Sequence, residues 1–205
     1  MLFCLWHSGN GNAALFDKNE RVQTFSMHCS GNYFSKKEKS DLDVELPIGC
    51  DDETYLSTLR LWLKRVEQHR FDESIDVEQS FTHTGRRRNF DLIFFQSGVD
   101  IHKDDRLGRL RITAGGISKR NAMVFDFAYR MSAPLVLSMG GGYPKDGDWS
   151  PIIESHIGVY WEAHQYLSTI VDLSVERESA QNFLPQSKRR DSSTREGRSP
   201  EGFLN

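Results

Sequence analysis

The chain has 205 residues, enough for one domain with a hydrophobic core. Its 38% hydrophobic and 27% charged residues fit a soluble globular protein with polar extensions, and a net charge of −3 excludes the global basic field that nucleic-acid or anionic-membrane binding calls for. No apolar run approaches the roughly 20 residues of a membrane span, and Met1 to Trp6 has neither a basic leader nor a small-residue cleavage site, so it does not read as a signal peptide. Cys4, Cys29 and Cys50 lie far apart with no CxxC pair, which points to a reducing compartment rather than a disulfide framework. The expected location is cytoplasmic or nuclear, not secreted.

Leu2 to Trp6 reads as a buried strand, unusual for the first residues of a sequence. His7 to Asn12 (HSGNGN) reads as a Gly/Asn loop, and Arg21 to Met27 alternates as a strand does. Cys29 to Pro47 reads as a long polar loop containing Asn32-Tyr33-Phe34 and a lysine run. Asp51-Asp52-Glu53 then opens a helix with acidic residues where the helix dipole favours them. Tyr55, Leu56, Leu59, Trp62, Leu63 and Val66 recur at helical spacing along one face. Asp72 to Asn89 reads as a polar surface insertion whose Arg86-Arg87-Arg88 is a solvated run.

Phe90 to Gln96 is a continuous apolar strand of the kind covered on both faces. Gly115 to Met131 follows as a helix with Ile117, Val124, Phe127, Ala128 and Met131 as its stripe. Pro134 to Met139 is another buried strand. Ser150-Pro151 starts the last clear helix, expected to run to about Leu167. This alternation of strand and helix is the α/β pattern. From about residue 186 the composition turns to Ser, Arg, Glu, Gly and Pro, a disordered tail in which Lys188-Arg189-Arg190 is a weak nuclear-import pattern.

The chemistry-bearing residues stand just past strand ends, where an open parallel sheet forms its ligand crevice. Asp100 follows the strand of Phe90 to Gln96. A carboxylate there is a metal ligand or, equally, the cap of an ordinary turn. Tyr143 follows Gly140-Gly141-Gly142 after the next strand, where glycine lets the backbone come close to a ligand. Its phenol can donate to an oxyanion, or simply pack on the surface.

Gly98-Val99-Asp100 with Asp105-Arg106-Leu107-Gly108, and Gly140-Gly141-Gly142-Tyr143, together resemble the zinc-dependent histone deacetylase family. His7-Ser8-Gly9-Asn10-Gly11, with AALF and VQTFSMH beyond, stays in the same register. The resemblance covers roughly residues 7 to 170, about the second half of the family's domain. GGISKRN and GGGYPKD stand closer to bacterial-type and class IV members than to class I enzymes.

That family implies an arginase/deacetylase fold, a three-layer α/β unit with a mainly parallel sheet and helices on both faces. The expected division is an incomplete deacetylase-like domain over residues 1–172 and a polar tail over 173–205. The resemblance implies zinc as cofactor, with His7 and Asp100 as ligands, and Tyr143 as the catalytic oxyanion donor. It implies that Leu107, Gly141, Gly142 and either Tyr33 or Phe34 form the substrate tunnel. The substrate class it implies is an acetylated lysine in a protein, or a small acylated amine.

Three departures cut across that inheritance. The family's zinc-ligating aspartate is Leu5 here, and a second aspartate that helps hold a monovalent cation is Phe3. No His-His pair occurs anywhere, so the family's water-activating base is missing. His102 could supply a third ligand, but nothing in the spacing assigns it that role, and it reads rather as a loop residue. The expectation is therefore an inactive or truncated piece of a deacetylase, or else a pseudoenzyme that binds acyl-lysine or a protein partner.

Overall fold

The structure is a computed structural model that describes residues 2–6, 10–32, 37–69 and 90–182. Within them, β1 (Leu2–Trp6), β2 (Val22–Cys29), β3 (Leu42–Leu46), β4 (Leu92–Gln96) and β5 (Leu135–Ser138) form one sheet. Its order is β3-β2-β1-β4-β5, and every neighbouring pair is parallel. The chain builds outward from β1 through β2 to β3, then returns to the other side of β1 to lay down β4 and β5. The direction of building therefore reverses between β1 and β4. In an open α/β sheet that switch point is where the carboxyl ends leave a crevice.

Apolar residues on one face of the strands make the main core. Phe25, Met27, Val44, Leu46, Ile93 and Phe95 are buried against two helices, α2 (Asp52–His69) and α3 (Ala114–Arg130). Tyr55, Leu59, Leu63 and Val66 supply the buried stripe of α2, at the spacing the sequence announces. Ile117, Val124, Phe127 and Ala128 do the same for α3. Ile152 joins this core from the start of α4 (Ser150–Asn182). The opposite face is covered near β2 by α1 (Asn10–Phe16), whose Ala13 and Phe16 pack on Val22.

Three elements differ from the sequence expectation. The HSGNGN stretch gives way at Asn10 to the short helix α1, held by its packing on Val22 more than by helix propensity. Within the expected polar loop, LDVEL forms β3, with Val44 and Leu46 turned inward while Asp43 and Glu45 face out. The lysine-rich stretch before it hid that alternation. Helix α4 continues beyond Leu167 to Asn182. The chain divides into two compact units, Met1–Tyr166 and Leu167–Asn205, and the described part of the second is helix.

The insertion at Asp72 to Asn89, including Arg86 to Arg88, and the basic run Lys188 to Arg190 lie outside the described residues. Among the described residues, no helix is long and apolar enough to cross a membrane.

Candidate functional site

The ends of β4 and β5 are tied together before they diverge. Ser97 Oγ donates to the carbonyl of Ser138 at 2.9 Å. The N–H groups of Val99 and Asp100 both donate to the carbonyl of Gly141, at 2.7 and 3.2 Å. These bonds set Asp100 beside the glycine run. A Cβ on Gly141 would collide with Asp100 Oδ2 and stand 3.2 Å from Tyr143 Cε2. Only a residue without a side chain allows that approach. The Asp100 carboxylate and the Tyr143 ring therefore meet over the same Cα.

The two oxygens of Asp100 have different surroundings. Oδ2 faces Gly141, while Oδ1 lies near Gly98, buried and without a hydrogen-bond partner among the described residues. Tyr143 is 39% exposed, enough for a ligand to reach its phenol. Gly142 packs on Val99, Ile152 and His156. Leu107 is exposed on the neighbouring loop.

Asp105 joins these pieces, and the sequence reading gave it no role beyond its motif. It is buried, and its carboxylate accepts the N–H of Leu107 at 2.8 Å, of Gly108 at 2.6 Å and of Tyr143 at 2.6 Å. Burial raises its pKa against the opposing effect of these donors, and the charge of Asp100 pushes in the same direction as burial.

Behind Asp100 lies a second polar group that the sequence reading also missed. Arg120 of α3 is 2% exposed. Its Nη1 donates to the carbonyl of Gly98 at 2.9 Å, its Nε donates to Asn121 Oδ1 at 2.9 Å, and its guanidinium sits over the Phe95 ring. The phenol of Tyr55 lies close enough to interact with it electrostatically. Burial holds the Arg120 pKa below its usual value, with Tyr55 and Asp100 opposing. His156 of α4 directs Nε2 toward Gly142, and burial followed by the charge of Arg120 lowers its pKa. The signal for Arg120 was available: a charge at i+3 from Ile117 and i−4 from Val124 lies on the apolar stripe of α3.

His102 is buried on the loop after β4, with Nδ1 accepting the N–H of Asp104 at 3.2 Å. It lines a cavity of about 180 Å³ with Ile117, Asn121, Pro151, Ser155 and Glu162. His7, Tyr33 and Phe34 lie outside the described residues.

Asp100 fits a single metal ligand, since its buried Oδ1 is an acceptor without a donor. Among the described residues the donors do not complete a catalytic zinc site. Among the described residues no three His, Cys, Asp or Glu side chains gather closely enough to hold a metal. Position 5 is leucine, and its strand neighbours in register are Phe25 and Phe95, both in the apolar core.

The fold is an open parallel α/β sheet in which an acid and a tyrosine meet past the carboxyl ends of β4 and β5. The histone deacetylase domain family matches residues 6–158. The chain belongs to the histone deacetylase family. It is 36% identical over 140 residues to an uncharacterized protein of Picosynechococcus, covering 68% of this chain and 41% of that one. It is 31% identical over 144 residues to histone deacetylase 2 of Arabidopsis thaliana, covering 68% of this chain and 32% of that one.

The fold matches an HDAC homologue complexed with SAHA at a TM-score of 0.58 and 18% identity, over 79% of this chain and 41% of that one. Acetylpolyamine aminohydrolase from Burkholderia pseudomallei matches at a TM-score of 0.52 and 16% identity, over 79% and 44%. The chain thus spans less than half the length of these relatives, with the arginase/deacetylase fold over the part they share.

Proposed function

We propose that the crevice at the ends of β4 and β5 is the acyl-lysine end of a deacetylase-type site, and that this chain by itself does not turn substrate over. The observation that carries the reading is the meeting of the Asp100 carboxylate and the Tyr143 ring at Gly141. In this reading the Tyr143 hydroxyl donates to the amide carbonyl oxygen of an acetylated lysine or small acylated amine. That bond strengthens as the oxygen gains negative charge, which is how a positioned donor lowers an acyl-transfer barrier. Asp100 would supply one carboxylate ligand to a metal bound there.

Hydrolysis also needs a base to take the proton of water. The 205 residues contain no His-His pair, and Leu5 stands where the family has a zinc-ligating carboxylate. Both facts favour the part of this reading in which the chain binds an acylated lysine without cleaving it.

Two assays on the purified chain separate these outcomes. The first incubates it with Zn²⁺ and an acetyl-lysine peptide and follows product by mass spectrometry. The second titrates a fluorescent acetyl-lysine peptide by anisotropy. The expected result is no turnover, with measurable peptide binding that Tyr143→Phe weakens about tenfold, as loss of one buried hydrogen bond to the ligand would. Metal-dependent turnover that Tyr143→Phe abolishes would overturn the inactive reading. Absence of both turnover and binding would overturn the assignment of the crevice.

A further inference from the structure

Two residues of the proposed crevice, Leu107 and Tyr143, come from different loops, one after β4 and one after β5. Loops without regular structure hold a fixed spacing only if something ties their main chains. Beside the main-chain bonds from Val99 and Asp100 to Gly141, one side chain ties both loops. Asp105 Oδ1 accepts the N–H of Leu107 and of Gly108, while Oδ2 accepts the N–H of Tyr143. A second bond closes the frame, with the N–H of Arg106 donating to the carbonyl of Tyr143 at 3.1 Å. Asp105 and Pro144 form an isolated antiparallel bridge around it.

The loop is packed too tightly to rearrange alone. A Cβ on Gly108 would collide with the carbonyl oxygen of Asp100. Asp105 itself is buried, so water does not compete for its oxygens.

We propose that Asp105 is a positioning residue of the site, whose carboxylate fixes the Tyr143 phenol relative to Leu107 and so sets the space between the oxyanion donor and the tunnel wall. The functional half of this statement rests on the reading given under Proposed function. The positional half stands on the hydrogen bonds alone. A carboxylate can satisfy both loops because each oxygen is an acceptor. The amide of asparagine offers one accepting oxygen, so Asp105→Asn can hold the Leu107 loop or the Tyr143 loop but not both.

The test uses the full chain labelled with 3-fluorotyrosine, with the resonance of Tyr143 assigned by its loss in Tyr143→Phe. In Asp105→Asn the Tyr143 fluorine signal should shift and broaden, while the signals of Tyr55 and Tyr166 stay in place. Amide exchange at Leu107 or at Tyr143 should rise at least tenfold. An unchanged Tyr143 signal in the folded variant would overturn the proposal. So would a common shift of all tyrosines, because that marks a general structural role. Should Asp105→Asn fail to fold, Asp105→Glu keeps the charge, displaces it by one methylene and is read in the same way.

A binding arm separates this proposal from the reading it deepens. The affinity ratio for acetyl- against butyryl-lysine peptides should change at least threefold in the variant. A ratio unchanged in a variant whose Tyr143 signal has moved would overturn the claim that Asp105 sets the space available to the acyl group. If the unaltered chain binds neither peptide, the crevice assignment falls and with it the functional half, while the fluorine signal still decides whether Asp105 positions Tyr143.

Discussion

Gly141 shows how little room the site leaves for a side chain. The main-chain path there is one that any residue could adopt, so the constraint is contact and not conformation. Gly141→Ala must push aside the Asp100 carboxylate or spread the two loops, at a cost of about 1–3 kcal/mol for overpacking. Urea denaturation measures that loss, and the Asp100→Ala background should recover most of it, because the colliding oxygen is then gone. Cys50 permits a prediction on pH. Burial, helped by the charge of Asp51 and by Cys29, pushes its thiol up to about 11. In the unfolded chain the thiol ionises near its ordinary value of 9.0. The folded state then keeps a proton that the unfolded state has lost. Stability contributed by this group is present below pH 9.0, falls as pH rises toward about 11, and levels off above it. Urea midpoints between pH 8 and 11 on the chain and on Cys50→Ala should diverge in that direction, with the chain falling more steeply.

At the scale of elements, the starts of α2 and α3 are fastened to each other. Asp51 caps α2 by accepting the N–H of Thr54 at 3.0 Å. Asp52, the next residue, turns away and accepts both the N–H and the hydroxyl of Thr113, at 2.8 and 2.6 Å. Thr113 in turn caps α3 by accepting the N–H of Gly116 at 3.0 Å. Thr113→Ala should cost about 1–2 kcal/mol, the usual loss for a cap. Combined with Asp52→Ala it should cost less than the sum of the two single changes, since both break the same bond. Chemical denaturation of the four proteins closes that cycle. The sequence announced the acidic start of α2 and could not announce the partner of Asp52, which lies 61 residues away. The same limit runs through the fold. Strands β1, β2, β4 and β5 and helices α2 and α3 were legible because apolar residues recur at the period of the element. Helix α1 and strand β3 escaped because α1 is a seven-residue segment with a glycine inside and β3 shows only Val44 and Leu46 as its inward pair. In the site, Asp100 and Tyr143 stood out as polar residues following apolar strands. The link from Asp105 to Tyr143 and the approach of His156 to Gly142 join residues distant in sequence, and only the folded chain brings them together; Arg120 alone carried a signal, as a charge on the apolar stripe of α3.

At the scale of the molecule, the feature with the largest consequence is apolar surface left open. Strand β5 has β4 as its one neighbour among the described strands, and its sequence LVLS carries neither charge nor proline to discourage pairing. On the face of β4 and β5 away from the main core, Phe94 and Val136 lie in register and are both partly exposed. Helix α4 adds Trp149 just before its first turn, then Ile153 and Ile157 at steps of four, and Tyr160 and Trp161 three and four residues beyond Ile157. Those positions lie on one side of a helix, and Ile152, Ser155 and Val159 on another side are buried. A helix apolar on two sides is built to lie between two layers. A contiguous exposed apolar stripe of this kind marks an association surface. The purified chain should therefore self-associate as its concentration rises through the micromolar range, in a manner that sedimentation velocity can follow. Ile157→Glu with Trp161→Glu should return it toward a monomer. Ile48→Glu, which changes a lone exposed isoleucine between β3 and α2, should leave association as it was. A chain that stays monomeric at 100 times the concentration where association is expected would mean that the stripe is too dispersed to act as one surface. Association that ignores the α4 changes would place the contact on the open edge of β5, where Val136→Lys becomes the variant that should block it.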